Sequence, residues 1–186
     1  FETTSFVDES TVNQGTITNW NWQLGNGGTT SQQNPSLTYG QDSTYQVTLV
    51  VTATGGCTDT ITQNVTVHPL PNAVVAEENV CLGESVSFGD SSTINSGNIV
   101  EWNWVFGDGN TSNEQHPEHL YQFDQTYVYS LEVVSQFGCR DGVSGAVSVH
   151  PLPTSAFSMS QTSDCFTPSP VTLTNQSSGA NQYLWR

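Results

Sequence analysis

Residues 102–109, which read Trp-Asn-Trp-Val-Phe-Gly-Asp-Gly, decide the fold of this chain. Three aromatic residues alternate with Asn103 and Val105, and this period of two indicates a strand with one buried face. The Gly-Asp-Gly that follows predicts a tight turn, because Asp-Gly tolerates the positive φ angles that such turns need. The stretch therefore predicts a strand that turns back sharply, as in an antiparallel sheet.

The same pattern occurs twice, separated by a fixed interval. Residues 20–27 read Trp-Asn-Trp-Gln-Leu-Gly-Asn-Gly, and the His-Pro-Leu-Pro of residues 68–71 returns at residues 150–153, both at an offset of 82. A fixed period of this length indicates tandem structural modules. We predict three: residues 1–71 as a module lacking its first strand, residues 72–153 as a complete module, and residues 154–186 as the N-terminal fragment of a third.

Short strands separated by turns fill the predicted complete module. We expect strands within 73–76 and 85–88, over 100–106 and 126–135, and a closing strand over 143–149. No stretch has a sustained helical period. About seven short strands in one repeat are typical of a two-sheet antiparallel sandwich. The predicted fold class is therefore all-β, with tandem immunoglobulin-like sandwiches.

The segments between the predicted modules carry paired prolines, which stiffen a chain and stop strand growth. Such short segments behave as semi-rigid linkers, so we expect neighbouring modules to be partners of one another in an elongated rod. We expect structural or solvent-exposed roles for the linker residues: His68, Pro69, Pro71, His150, Pro151 and Pro153.

The composition excludes several classes of partner. The chain has two basic residues and seventeen Asp and Glu, which give a net charge of −15. Nucleic acid and anionic membrane surfaces need positive charge, so neither is expected to bind. No apolar run approaches the ~20 residues of a membrane-spanning helix, so we expect no direct membrane insertion. The lysine-free, Ser/Thr/Asn/Gln-rich composition and the spaced cysteines favour an extracellular location.

The segment Trp104-Val105-Phe106-Gly107-Asp108-Gly109 resembles the W-x-F-G-D-G signature of PKD (polycystic kidney disease) domains. Other residues that fit are Trp22 at the corresponding position, and Tyr45 and Tyr127 in the long strands. The first copy departs from the signature with Leu24 and Asn26, and it has Leu37 where the second has His119. The resemblance implies an immunoglobulin-like fold but leaves the function open, because a fold alone does not fix a function.

The cysteine positions and the Pro-x-Pro linkers resemble those of the SprB-type gliding-motility adhesins of Bacteroidetes, which the type IX secretion system exports. That resemblance implies a repeat segment of a large cell-surface filament that serves attachment and gliding. Its partners would be surface polysaccharide or another cell-surface protein. The alternative is a PKD linker or substrate-binding accessory region of a secreted hydrolase.

Candidate catalytic and ligand sites are weak. No nucleophile, zinc or phosphate-loop motif is present, and the neighbouring carboxylates of a strand point to opposite faces. We therefore expect no enzyme activity and no cofactor. Calcium near Asp90 and Asp108 is an open alternative, although no EF-hand-like ligand loop exists. Sugar stacking on Trp20 and Trp102 is another open alternative. Trp22 and Trp104 are instead expected in the core.

The cysteine positions give the most specific structural prediction, which concerns disulfide bonds. Each complete module has one before its second strand (Cys81, Cys165) and one after its long strand (Cys57, Cys139). These loops lie at opposite ends of an immunoglobulin-like sandwich, over 20 Å apart by strand rise, whereas a disulfide needs Cα atoms within about 7 Å. We predict bridges between neighbouring modules, with the partners of Cys81 and Cys139 outside the sequence. An intramodule bridge and free thiols are the alternatives.

Overall fold

A computed structural model describes residues 2–160 and 171–185, in which every regular element is a β-strand. The strands of the first copy are β1 (Thr3–Ser5), β2 (Ile17–Gln23), β3 (Thr29–Thr30), β4 (Ser36–Thr38), β5 (Ser43–Ala53) and β6 (Thr58–Val67). Those of the second are β7 (Val75–Ala76), β8 (Val80–Cys81), β9 (Ser85–Ser87), β10 (Gly89–Asp90), β11 (Ile99–Val105), β12 (Thr111–Ser112), β13 (Glu118–Leu120), β14 (Thr126–Ser135) and β15 (Arg140–His150). The third copy contributes β16 (Phe157–Met159) and β17 (Leu173–Asn175).

The first copy consists of a four-stranded sheet, in the order β3-β2-β5-β6, and a β1-β4 pair. Trp22 of β2 lies opposite Leu49 of β5, and a bulge separates Ile17 from Asn19. Alternation along these strands sends one set of side chains inward, where apolar burial stabilises the fold. That core contains Trp22, Leu24, Val47 and Leu49, with Phe6, Trp20, Leu37, Val51 and Val65 packed around it.

The second copy has a five-stranded sheet, in the order β12-β11-β14-β15-β8, and the pairs β13-β9 and β10-β7. Phe88 lies at the centre of its aromatic core, with its ring centroid 5.4 Å from that of Trp104 and 5.1 Å from those of Phe106 and Tyr129. Trp104 and Phe106 are buried, as their alternation predicts. The predicted all-β, immunoglobulin-like sandwich class is confirmed.

The predicted bounds of the closing strand are wrong, and the short strands β8, β10, β12 and β13 were not predicted. The closing strand is Arg140–His150, longer than the predicted 143–149, and it lies between β14 and β8 in the five-stranded sheet. The sequence also gives no sign of β8, which pairs in parallel with the end of β15, Cys81 opposite His150. A two-residue strand is too short for a period of two to be visible.

The third copy is a β16-β17 pair, with Phe157 opposite Asn175. Residues 183–185, which correspond to part of β11 in the second copy, form no strand. Their counterpart β11 is held by β12 and β14, which both follow it in sequence, and the described part of the third copy has no equivalents of them. A strand without paired neighbours is not stable. Cys165 lies outside the described residues.

Contacts divide the chain into two compact units. The first comprises residues 1–72 together with two segments of the second copy, 92–100 and 133–141, each a loop with the adjoining strand ends. The second comprises residues 73–91, 101–132 and 142–186. The predicted module boundaries after residues 71 and 153 stay predictions. The described ranges contain no helix with the length and apolar character that a membrane span requires.

Candidate functional site

An indole, a carboxylate and a glutamine amide form the same cluster in both copies. In the first copy, Trp20 Nε1 donates to Asp8 Oδ2 at 2.6 Å and Gln33 Nε2 donates to the same oxygen at 3.2 Å. In the second, Trp102 and Gln115 donate to Asp90 Oδ2 at 2.7 and 3.0 Å. In each copy the cluster joins an aspartate of the segment that precedes β2 or β11 to a tryptophan of that strand. The two tryptophans considered for sugar stacking therefore have a structural role.

The carboxylate of the first cluster has a shifted pKa. Its slight burial raises the pKa of Asp8, but the hydrogen bonds from Ser10, Trp20 and Gln33 lower it by more, and the net pKa is lowered. Donors around an ionised oxygen stabilise the charged form. Asp8 therefore stays ionised as an acceptor for its neighbours rather than serving as an acid.

The Gly-Asp-Gly turn of the second copy is packed against a histidine. His119 Nε2 lies 2.7 Å from Asp108 Oδ2, and the His119 ring stacks on Phe106 with centroids 4.2 Å apart. Tyr121 donates its hydroxyl to the carbonyl of Phe106 at 2.9 Å, and Tyr39 makes the same bond to Leu24 at 2.8 Å. His119 is thus a packed, hydrogen-bonded residue.

In both copies, the tyrosine that bonds to the turn also stacks on a second tyrosine. The rings of Tyr39 and Tyr45 have centroids 4.0 Å apart, and those of Tyr121 and Tyr127 are 3.9 Å apart. Burial, followed by the charge of Asp108, raises the pKa of Tyr121 well above its usual range. Its hydroxyl therefore stays protonated and remains a hydrogen-bond donor to the backbone.

The first linker is packed rather than free, entirely within the first unit. The imidazole of His68 stacks on Phe137 with centroids 3.8 Å apart and planes 7° apart. Pro69 and Pro71 are buried. Asn72 exchanges two backbone hydrogen bonds with Thr93, at 2.7 and 3.0 Å. His68 and Asn72 are therefore held by residues of the second copy.

A glycine makes room for the aromatic ring at this place. Gly97 has a φ of +82°, and a Cβ there would lie 2.7 Å from the Phe137 ring. The loop also bonds to the neighbouring residue, because Gln136 N donates to Asn98 O at 2.9 Å. Phe137 is therefore confined by Gly97 as well as by the His68 ring.

The second linker is exposed. Every residue from His150 to Pro153 is solvent-accessible, in contrast to the buried prolines of the first linker. His150 is fixed through its backbone, since its carbonyl accepts a hydrogen bond from Leu82 N at 2.8 Å.

Two of the cysteines lie at opposite ends of β15. Cys139 directly precedes β15, and Cys81 pairs with His150 at its far end, so ten residues at about 3.3 Å each separate the two. Cys57, Cys81 and Cys139 carry free thiols. A bridge between Cys81 and Cys139 is geometrically excluded by that separation. Whether bridges join neighbouring modules stays a prediction.

The sequence profile of the PKD domain matches this chain twice, over residues 2–68 and 66–149. The two matches together cover more than half of the chain. The chain belongs to the PKD domain family.

Curated relatives carry similar PKD regions inside much longer proteins. The pre-pro-metalloprotease PrtV of Vibrio cholerae is 33% identical over 102 residues, 54% of this chain and 11% of that protein. A microbial collagenase of Vibrio alginolyticus is 36% identical over 105 residues, 54% of this chain and 12% of that protein. The matched region thus spans about a tenth of each relative's length.

Two solved PKD domains are similar to this chain and each covers less than half of it. The PKD1 domain of Vibrio anguillarum Epp is 27% identical, with a TM-score of 0.44, covering 46% of this chain and 100% of that one. The PKD1 domain of Vibrio cholerae PrtV is 28% identical, with a TM-score of 0.38, covering 45% of this chain and 99% of that one.

The two aspartates considered as calcium ligands have hydrogen-bond partners within the PKD domain. No three His, Cys, Asp or Glu side chains there could share a metal ion. Asp108, a candidate for calcium, instead accepts from Asn110 and pairs with His119. Asp90 accepts from the Trp102 indole. These carboxylates therefore serve the packing of the domain.

The outward face of the sheet in the first PKD domain is a feature that the sequence analysis missed. Val50 is its single apolar side chain, and no side chain on it is charged. Register and alternation place fourteen residues there: Asn19, Asn21, Gln23, Thr29, Thr44, Gln46, Thr48, Val50, Thr52, Thr58, Thr60, Thr62, Asn64 and Thr66. The Thr-x-Thr-x-Thr of residues 58–62 was the available signal.

Proposed function

We propose that this chain is a non-catalytic segment of an extracellular protein, in which PKD domains link, space and present other domains. One observation carries the proposal: the residues that recur at the 82-residue offset build the core and the corners. Trp22 and Trp104 are buried, and Tyr39 and Tyr121 bond to the backbone of their turns. A catalytic site would be expected on residues that open onto a cleft, and the recurring residues are instead used in packing.

An extracellular location has two supports. The composition combines a net charge of −15 with no lysine and many Ser, Thr, Asn and Gln residues. The relatives are a pre-pro-metalloprotease and a collagenase, whose names indicate proteins that are processed or that act on an extracellular substrate. Both favour the same compartment for this chain.

The setting that the relatives favour is an accessory region of a secreted hydrolase. In both, the similar region is a small part of a long chain, 11% and 12% of its length. In that setting the PKD domains would space a catalytic domain from its substrate or hold it there. The activity itself would belong to another part of the protein.

A second setting is a repeat segment of a large cell-surface adhesin that serves attachment and gliding. The observation in its favour is the regularity of the repeat, which keeps one offset from Phe6 and Phe88 to Pro71 and Pro153 without insertion. Near-identical spacing is typical of long arrays, in which each unit packs against its neighbours. The packed first linker, with His68 on Phe137, is consistent with such an array.

We also propose that disulfides join neighbouring PKD domains. Cys81 lies beside the second linker through its pairing with His150, and the Cys139 loop lies beside the first linker through Phe137 and His68. Each cysteine is therefore next to a linker, and the two are too far apart to bond to each other. Formation would proceed by thiol–disulfide exchange with an oxidising protein disulfide, which is reduced to two thiols.

Immunodetection in fractionated cultures tests the proposed function. Antibodies raised against the 186-residue chain would be applied to intact cells, cell lysate and cell-free medium, with and without protease treatment of the intact cells. We expect all of the antigen in the medium or on protease-accessible cell surfaces. Release into the medium supports the hydrolase setting and retention on the surface supports the adhesin. Antigen protected inside intact cells would contradict both.

A further inference from the structure

The two PKD domains share their inward residues and differ on their outward sheet face. The inward Trp20, Trp22 and Leu49 of the first have Trp102, Trp104 and Leu131 as counterparts. On the outward face, the offset of 82 gives the second domain Glu101, Glu132 and Arg140 where the first has Asn19, Val50 and Thr58. The scaffold is therefore repeated, whereas this face is specific to one domain.

The face of the first domain is a regular array of hydroxyl and amide groups, which we call the threonine face, made of the fourteen residues given above. Eleven of them are exposed and three, Thr48, Val50 and Thr52, are half-buried. Neighbouring strands lie about 4.8 Å apart, and alternate residues along a strand about 6.7 Å apart. The polar groups are thus spaced evenly over the whole sheet.

Cross-strand hydrogen bonds order the hydroxyls of this face. Thr48 Oγ1 lies 2.9 Å from Thr62 Oγ1, and Thr44 Oγ1 lies 3.3 Å from Thr66 Oγ1. In each pair one hydroxyl donates to the other, and the second keeps its own proton to donate outward. The β-branched side chains also have few rotamers, so binding through them costs little side-chain entropy.

The charge of the chain limits what this face can bind. The chain carries seventeen acidic groups, none of them on this face, and its net negative charge repels an anionic polymer. A cationic partner would find no carboxylate on the face to pair with. What remains is a neutral partner that offers many donors and acceptors of its own.

We propose that the threonine face binds a neutral, hydroxyl-rich polysaccharide. Each hydroxyl and amide of the face both donates and accepts, and so does each hydroxyl of an uncharged sugar chain. The two arrays can exchange hydrogen bonds without burying an unpaired charge. The proposal adds a ligand to the proposed spacer role and depends on it only for the extracellular setting in which such polymers occur.

Native affinity electrophoresis of the 186-residue chain tests this binding. The probes are hydroxyethyl cellulose and a galactomannan, both neutral, with alginate as an anionic comparison and serum albumin as a non-binding reference. We expect a neutral polymer to retard the chain relative to albumin and alginate to leave its mobility unchanged. No retardation by either neutral polymer, or equal retardation by alginate, would overturn the proposal.

Paired variants locate the site. The double variant Thr48→Val/Thr62→Val removes two outward hydroxyls while keeping β-branched shapes, and we expect it to weaken binding about fivefold, the effect of roughly one hydrogen bond. The matched control is Ser130→Val/Ser144→Val, at the corresponding positions of the second domain with the same degrees of exposure. It should bind like the unsubstituted chain. Equal loss in both variants would place the binding elsewhere and overturn the assignment.

The outcome is separable from that of the proposed function. A thermal unfolding scan of each variant reports whether the sheet is intact, since Val is as good a strand former as Thr. Loss of binding with an unchanged transition supports the threonine face. If the chain does not bind and instead self-associates through this face, the polysaccharide proposal is wrong, while the extracellular spacer role stands on the fractionation result.

Discussion

The imidazole of His68 lies face to face with the phenyl ring of Phe137, with centroids 3.8 Å apart and planes only 7° apart. The contact joins the end of the first repeat to a loop of the second, inside one compact unit. The first repeat has Gly55 at the position of Phe137. The stack is therefore a feature of this linker and not of the repeat in general.

Substitution of Phe137 by Ala should lower the free energy of unfolding of the first unit. A double-mutant cycle with His68→Ala should give a coupling of about 0.5–1.5 kcal/mol, the usual size for a ring pair. Urea denaturation of the four proteins measures it. Phe123→Ala is the control, because Phe123 is 69% exposed and Phe137 39%. Strictly additive effects of the His68 and Phe137 substitutions would contradict the stack.

Two glycines of one turn should respond differently to alanine. Gly109 has a φ of +94° with open space where a Cβ would be, so Gly109→Ala should cost about 1–2 kcal/mol of backbone strain. Gly107 has a φ of +84°, and its Cβ would also collide with the carbonyl of Val128. Gly107→Ala should therefore be clearly more destabilising in urea titrations, and equal costs would mean that the turn does not pack against β14 as described.

The pKa of Asp108 predicts an acid-dependent stability. Burial raises this pKa, but hydrogen bonds from Asn110 and His119 lower it by more. A carboxyl with a lowered folded-state pKa contributes stability above its unfolded value, about 3.9, which is lost as the pH falls through the folded value. Removing a donor should shrink that contribution.

We therefore expect His119→Leu, which installs the residue found at Leu37 of the first repeat, to flatten the loss of stability between about pH 5 and pH 2. Urea midpoints across this range measure the effect. The exposed His150, changed to Leu, is the control and should leave the slope as it is. An unchanged acid slope in His119→Leu would count against the Asp108 pair.

The disulfide proposal is checked on the full-length protein, purified without reductant. Peptide mapping should find Cys139 linked to a cysteine of a neighbouring repeat, and the link should disappear after reduction. A peptide that joins Cys81 to Cys139 would sink the proposal, and so would a Cys139 that is fully alkylated before reduction.

The strands that form the core could be predicted because their residues repeat a period of two over seven residues or more. The alternation of Trp102, Trp104 and Phe106 predicts β11 and its end, and the alternation within residues 126–135 predicts β14. Burial of one face imposes such a pattern on any long strand. Short strands such as β8 carry too few residues to have one, and their position depends on a partner far away in sequence.

The candidate sites were harder to predict for a related reason. His68 was expected to have a structural or solvent-exposed role, and nothing near it in sequence points to Phe137, which lies 69 positions later. The threonine face also escaped notice, since strand-forming threonines are ordinary on a sheet and its uncharged character becomes visible only when register brings β2, β5 and β6 together. Both features depend on contacts between residues that are far apart in sequence.

The most direct test of the central claim replaces residues 2–149 in the full-length protein with a flexible Gly/Ser linker of equal length. If these PKD domains are non-catalytic spacers, retention on an insoluble substrate or surface should fall several-fold, while turnover of a small soluble substrate by any catalytic domain stays unchanged. Loss of turnover on the soluble substrate, in a protein whose remaining domains are folded, would contradict the account.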